Sequence, residues 1–280
     1  MANVHVHLGS FNAGELSPYL LGRFAVEKVQ AGCRILRNFI PHVHGPVFRR
    51  PGLEHVGPAF AQDWVSRFGF EPEKHPAYLT MALGAGSVTP LQMANGYGVF
   101  ANGGHYAAPR FISRIDDHKG RVLQEYKSPA AQEMPQVIEP RNAFIMSQLL
   151  NEVARSGTAA RAQATLKRRD LYGKTGTTND AVDAWFVGYQ PTLVGAVWVG
   201  YDNPRNLGSR ETGGGLSLPI WISFMSEALR DTPVVELAVP AGVVNVAGEW
   251  YYDNYAPGSG VARNVNLGIA LVNNVGTKLG

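Results

Sequence analysis

The chain is short of cysteine, of charge and of long apolar runs, and each shortage excludes something. Cys33 is the only cysteine among 280 residues, so no disulfide forms within the chain and no cysteine-based metal site is available. The longest apolar run, LVGAVWVG at 193–200, falls far short of the roughly 20 residues that cross a bilayer. No N-terminal stretch has the charged, apolar and small-residue layout of a signal peptide, so the sequence as written is expected to carry no membrane anchor. With 17% charged and 45% hydrophobic residues, it reads as a globular chain rather than a disordered one.

The net charge of +3 is unevenly placed. Residues 1–50 hold six basic groups (Arg23, Lys28, Arg34, Arg37, Arg49, Arg50) against Glu15 and Glu27, while the remaining 230 residues carry 19 basic and 20 acidic groups. The body of the chain is therefore neutral. Without a clustered basic face or an aromatic platform, no nucleic-acid partner is expected. The first 55 residues also hold five of the eight histidines and show no helical or strand period lasting more than a few residues. His5/His7 and His42/His44 would each put two imidazoles on one face of a strand, but no third ligand is evident. We therefore expect no metal site.

Past Gly57 the pattern becomes regular. PAFAQDWVSRFGF has helical spacing through Phe60, Trp64 and Phe68. In SVTPLQMANGYGVFANGG, Thr89 suits an N-cap, Pro90 the first helical position and Gln92 the far side of a capping box, with Asn102-Gly103-Gly104 as the stop. FISRIDDHKGRVLQEY reads as a β-hairpin turning near 117–120. Pro140 opens a helix with Ala143, Met146, Leu150 and Val153 on one stripe, closed by Gly157. Three strands follow, at 171–176, 182–189 and 193–201, joined by short turns that favour antiparallel neighbours. SLPIWISFMSEALRD restores helical spacing. Helices on either side of an antiparallel meander predict an α+β fold, with an antiparallel sheet covered by helices. Residues 1–55 are set apart as atypical, 56–231 form the main domain, and 232–280 an extended tail with one or two strands.

The chemistry concentrates in LYGKTGTTND, 171–180. A phosphate loop ending at Gly173-Lys174-Thr175 would need a glycine five residues before Gly173, and that position is Arg168. Lys-Thr-Gly on an edge strand is instead the third signature of the penicillin-recognising serine acyltransferases. The residue types suit that task. An edge strand offers backbone groups to an added peptide strand, Gly176 lets it approach, and Lys174 supplies a fixed positive charge.

The context GTAARA…DLYGKTGTTNDAVDAWFVGY…VGAVWVGYDNPRNLG…ETGGGLSLPIWISFM resembles the transpeptidase domain of class A penicillin-binding proteins phrase by phrase, from about residue 56 to 230. LGAGSVTPLQMANGYGVFANGG also looks like that family's helix ahead of the site. The resemblance implies a cell-wall enzyme without cofactor. Its serine is acylated by the D-Ala-D-Ala end of a peptidoglycan stem peptide, or by a β-lactam, and the acyl group passes to an amine on a neighbouring strand. It further implies roles for Lys174 at the nucleophile and the substrate carboxylate, for Thr175, Gly176, Thr177 and Thr178 in substrate binding, and for the Thr177 N–H as half of an oxyanion hole. Asp183, Trp185, Glu211 and Thr212 also match family positions, with Trp185 read as core packing and the 211–214 loop placed near the site.

One partner is not found. The family's nucleophile lies in Ser-x-x-Lys, yet no serine here has a lysine three residues on, and the single Ser-x-Asn, Ser10-Phe11-Asn12, lies far from its expected place near position 44. We therefore expect residues 1 to about 52 to be foreign to the family. The fold would then be incomplete on its N-terminal side, and the chain inactive by itself. The resemblance places the membrane anchor, a glycosyltransferase domain and the serine helix upstream in the parent protein, at the periplasmic face of the bacterial inner membrane. A non-catalytic stem-peptide-binding module, and a β-lactamase or DD-carboxypeptidase of the same superfamily, remain as alternatives.

Overall fold

The computed structural model describes residues 3–10, 56–130, 133–209 and 211–257, with the backbone alone for 3–10 and 82–83. Two compact units divide the chain, Met1–Val239 and Pro240–Gly280. In the first, strand β1 (Asn3–Ser10) is followed by helices α1 (Pro58–Ser66) and α2 (Pro90–Ala101) and by a hairpin of β2 (Arg114–Asp116) and β3 (Val122–Glu125). Then come α3 (Pro140–Arg155), α4 (Ala160–Leu166), β4 (Tyr172–Thr177), β5 (Ala184–Gln190), β6 (Leu193–Gly200) and α5 (Leu218–Ala228). Among the described residues of the second unit is a hairpin, β7 (Val243–Val246) with β8 (Glu249–Tyr252).

Local chemistry explains why α2 starts where it does. Thr89 Oγ1 accepts the Gln92 N–H at 3.1 Å, and the Gln92 side chain accepts the Thr89 N–H at 2.9 Å, with Pro90 at the first helical position. Such a cap contributes about 1 kcal/mol. α3 also opens on a proline and buries Ala143, Leu150 and Val153, as its stripe predicted. α4 was not legible in advance, because its seven residues make fewer than two turns.

The main sheet is antiparallel throughout, in the order β1-β6-β5-β4. Its two faces form two cores. On one, Tyr172, Trp185, Val187, Tyr189 and Trp198 pack with α2 and α3; on the other, Ala184, Phe186, Val197 and Val199 pack with α5. Gly188 and Gly195 face each other across β5 and β6, and a Cβ on either would lie about 3 Å from the Trp221 ring. This glycine pair is the slot in which the α5 tryptophan lies.

Strand β1 differs from expectation: residues 3–10 form an eight-residue strand paired with the whole of β6. The sequence carries a period-2 signal there, with Val4, Val6 and Leu8 alternating with His5 and His7. The side chains of His5 and His7 lie outside the described residues, as do Asn12, Cys33, His42 and His44.

Candidate active site on the edge of strand β4

Among the described residues strand β4 ends the sheet, so one side of it has no strand neighbour there. The register fixes which backbone groups face that side. Thr178 N–H donates to the Asp183 carbonyl at 3.1 Å, so Thr178 and Asp183 are a hydrogen-bonded pair. Opposed residues in an antiparallel ladder alternate between bonded and non-bonded pairs. Thr177, opposite Ala184, is therefore non-bonded, and its N–H and C=O point away from β5, as do those of Thr175. α3 covers the start of the same edge, where Asn151 Nδ2 donates to the carbonyls of Leu171 at 2.9 Å and Arg169 at 2.7 Å. From Lys174 to Thr178 the chain is half-buried.

Alternation also separates the side chains. Lys174 leaves β4 on the face of Tyr172 and α2, whereas Thr175 and Thr177 leave on the face of α5. They converge at the edge, because the Lys174 ammonium turns back to donate to the Thr175 carbonyl at 3.1 Å. Behind the threonines, Thr175 Oγ1 is 2.8 Å from Thr158 Oγ1, and Thr177 Oγ1 accepts the Gly213 N–H at 3.1 Å. Gly213 begins a wide turn, Gly213–Ser217, capped by the Thr212 hydroxyl on the Gly215 N–H at 3.1 Å. A side chain at Gly213 would collide with the carbonyls of Trp185 and Gly176, so only glycine lets this loop lie on β4 and β5.

The turn after β4 is held as firmly. Thr178 Oγ1 accepts the Asp183 N–H at 2.7 Å. Asp180 and Ala181 both have positive φ, 59° and 46°, and Leu207 N–H donates to the Ala181 carbonyl at 2.9 Å. The left-handed conformation costs an alanine about 1–2 kcal/mol, which this bracing offsets. Asp183 is buried and its carboxylate accepts the Trp198 indole N–H at 2.9 Å. Burial pushes its carboxyl above the ordinary aspartate range, against the opposing pull of that hydrogen bond. Trp185 is 3% exposed and packs against Trp198, so it is core, as read from the sequence.

The structure thus brings Lys174, Thr175, Gly176, Thr177 and Thr178 to one edge, with the 212–214 loop against them. Sequence reasoning missed Thr158 as a neighbour of this group. Thr158 lies in the string GTAARA, but no spacing rule links a residue after one helix to a strand 17 positions on. Among the described residues no cluster of three or more His, Cys, Asp or Glu is arranged to hold a metal. No helix among them is long and apolar enough to cross a membrane.

An antiparallel sheet covered by helices, with Lys-Thr-Gly on its edge strand, defines a class, and comparison with known families agrees. The penicillin binding protein transpeptidase domain matches residues 53–225, and the chain belongs to that family. Penicillin-binding protein 1A of Neisseria flavescens is 48% identical over 200 residues, covering 71% of this chain and 25% of the relative. That of Vibrio cholerae is 40% identical over 238 residues, covering 69% of this chain and 29% of the relative. The chain spans only about a quarter of the length of the Neisseria protein. The crystal structure of penicillin-binding protein 1A from Haemophilus influenzae aligns with a TM-score of 0.68 at 29% identity, over 75% of this chain and 39% of that one. PonA1 from Mycobacterium tuberculosis, solved in complex with penicillin V, aligns with a TM-score of 0.54 at 25% identity, over 68% of this chain and 54% of that one.

Proposed function

We propose that this chain carries the substrate-recognition edge of a peptidoglycan DD-transpeptidase, and binds the D-Ala-D-Ala end of a stem peptide, or a β-lactam in its place, along β4. The supporting observation is the convergence, at one strand edge, of the Thr177 N–H, the Lys174 ammonium and two threonine hydroxyls. A peptide adding to a sheet edge needs outward N–H and C=O groups, which Thr175 and Thr177 supply. Lys174 neutralises the C-terminal carboxylate, the hydroxyls of Thr175 and Thr177 donate to it, and Gly176 leaves room for the approach. Thr178, tied to Asp183, fixes the end of the strand. The Thr177 N–H stabilises the oxyanion that forms at the penultimate carbonyl, a contribution typically worth about 10²–10³ in rate.

In the family's reaction a serine oxygen attacks that carbonyl and D-Ala leaves with a proton. An amine of a neighbouring strand then displaces the serine, closing a cross-link at the periplasmic face of the inner membrane. These 280 residues hold no Ser-x-x-Lys. On this reading the polypeptide by itself recognises the substrate without forming the serine ester, since catalytic groups that act as a unit fail together.

The test is to incubate the 280-residue chain with a labelled penicillin, record its intact mass, and measure equilibrium binding of a D-Ala-D-Ala-terminated peptide. We expect no covalent adduct and saturable binding that penicillin displaces. A stoichiometric adduct would refute the loss of acylation, and mapping it would identify the serine. Absence of saturable binding would refute the recognition edge itself.

A further inference from the structure

We propose that Thr158 is a positioning residue: it donates to Thr175 and so turns that hydroxyl into a donor for the ligand's carboxylate, setting a preference for a free C-terminal carboxylate over its amide. This rests on the recognition edge proposed above and adds a specificity determinant to it.

A hydroxyl has one proton and two lone pairs. Thr158 Oγ1 and Thr175 Oγ1 are 2.8 Å apart, and either can donate. Were Thr175 to donate, its proton would be spent on Thr158, and only lone pairs would face an incoming carboxylate. With Thr158 donating, the Thr175 proton is left for the ligand. A carboxylate is a stronger acceptor than a hydroxyl, so its arrival selects the second arrangement, and the two bonds polarise each other.

The next side chain on the same face shows this arrangement with its direction fixed. The Gly213 N–H can only donate, so at 3.1 Å it fills a lone pair of Thr177 Oγ1 and leaves that proton available to a ligand. Thr158 and Gly213 thus act as a matched pair of donors behind two matched threonines. Thr158 is also held in place: Ala159 N–H donates to the Val153 carbonyl at 3.1 Å, and Ala160 N–H to Gly157 at 3.1 Å. Thr158 itself is exposed, and Gly214 lies beside its backbone, where an added Cβ would be 3.4 Å from the Thr158 carbonyl. An array of donors suits two anionic oxygens. A terminal amide replaces one of them with a donor, and a site whose polar groups are left unpaired discriminates strongly.

The experiment uses the 280-residue chain and two probes, a peptide ending in D-Ala-D-Ala and the same peptide as its C-terminal amide. Their dissociation constants are measured for wild type, Thr158→Val and Thr158→Ser. Wild type is expected to prefer the carboxylate. Thr158→Val should weaken carboxylate binding about tenfold, the scale of one lost hydrogen bond to a charged group, with amide binding nearly unchanged. Thr158→Ser, which keeps the hydroxyl, should restore the preference. An unchanged carboxylate-to-amide ratio in Thr158→Val, or a loss in Thr158→Ser as large as in Thr158→Val, would overturn the inference. The Thr175 χ1 angle, read from three-bond couplings without ligand, separates the two readings. One rotamer in wild type and Thr158→Ser, but averaging in Thr158→Val, supports positioning even if neither peptide binds and the recognition edge fails. A single unchanged rotamer in Thr158→Val refutes it.

Discussion

The carboxylate of Asp170 is fully buried and takes two prongs of the Arg168 guanidinium, at 2.7 and 3.0 Å. The pair reaches beyond itself. Arg168 also donates to the carbonyls of Thr232 and Pro233, at 2.6 and 2.9 Å, and Asp170 accepts the Val235 N–H at 3.0 Å. The clamp therefore ties the segment after α5 to the residues that lead into β4. Removing one partner of a buried pair leaves the other charge uncompensated, at a cost of about 3–5 kcal/mol. Asp170→Ala is expected to lower the unfolding free energy by that amount, read as a lower denaturant midpoint at unchanged slope. Replacing both residues with apolar ones of similar size should recover much of it, and a double variant no better than the single one would refute this account.

Gly213 and Gly214 should respond differently to the same change. A methyl at Gly213 meets backbone carbonyls of β4 and β5 that cannot swing aside, whereas at Gly214 its nearest neighbour is 3.4 Å away. Gly213→Ala is expected to cost about 1–3 kcal/mol and to weaken peptide binding through loss of the bond to Thr177. Gly214→Ala should be tolerated. Thermal melts and peptide titrations of both variants are the check, and equal behaviour would count against the placement of the loop.

Asp183 carries a pH signature. Its native carboxyl is raised by burial above the unfolded value of about 3.9. The folded state therefore holds the proton more tightly. The resulting stabilisation is complete below about pH 3.9 and is lost as pH rises through the raised native value. At neutral pH the buried charge is a cost. Asp183→Asn keeps an oxygen for Trp198 and should raise the melting temperature at pH 7, with the gain shrinking below about pH 4. A lower melting temperature at pH 7 would show that the charge is needed.

His75 should behave in the opposite sense. The residue is 3% exposed, neither ring nitrogen has a hydrogen-bond partner among the described residues, and the ring lies edge-on to Phe70 and hard against Gly86. Burial lowers its pKa more than Glu71 and Glu73 raise it. Neutral His75 thus contributes stability that is present above about pH 6.5 and is lost as pH falls through the depressed native value. His75→Leu is expected to flatten the fall in stability below about pH 6.5. An unchanged slope in denaturant titrations across that range would assign it to other groups.

Much of the fold could be read before any coordinates. Thr89, Pro90 and Gln92 mark a helix start because capping is satisfied within four residues. The stripe of α3 and the turns between β4, β5 and β6 are equally local, as is the hairpin around Asp117–Gly120. The 3–10 strand is hard to read from sequence although its alternation is present, because three apolar positions make a short signal inside an otherwise irregular stretch. The short helix α4 had even less to mark it.

What the sequence determined by itself is whatever neighbouring residues decide: helix starts, turns, the antiparallel order of the meander, and the Lys-Thr-Gly motif with its family. Tertiary structure alone decided the rest. A period-2 pattern is the same for an edge strand and a central one, so only the assembled order β1-β6-β5-β4 puts β4 at the edge of the sheet among the described residues. Nor does spacing bring Thr158 to Thr175, Gly213 to Thr177, or Arg168 to Thr232, which lie 17, 36 and 64 positions apart. Those contacts form because α3, α5 and the sheet bury their apolar faces together. Burial is non-directional and acts on surface area, so it carries distant polar groups into reach that no local rule connects.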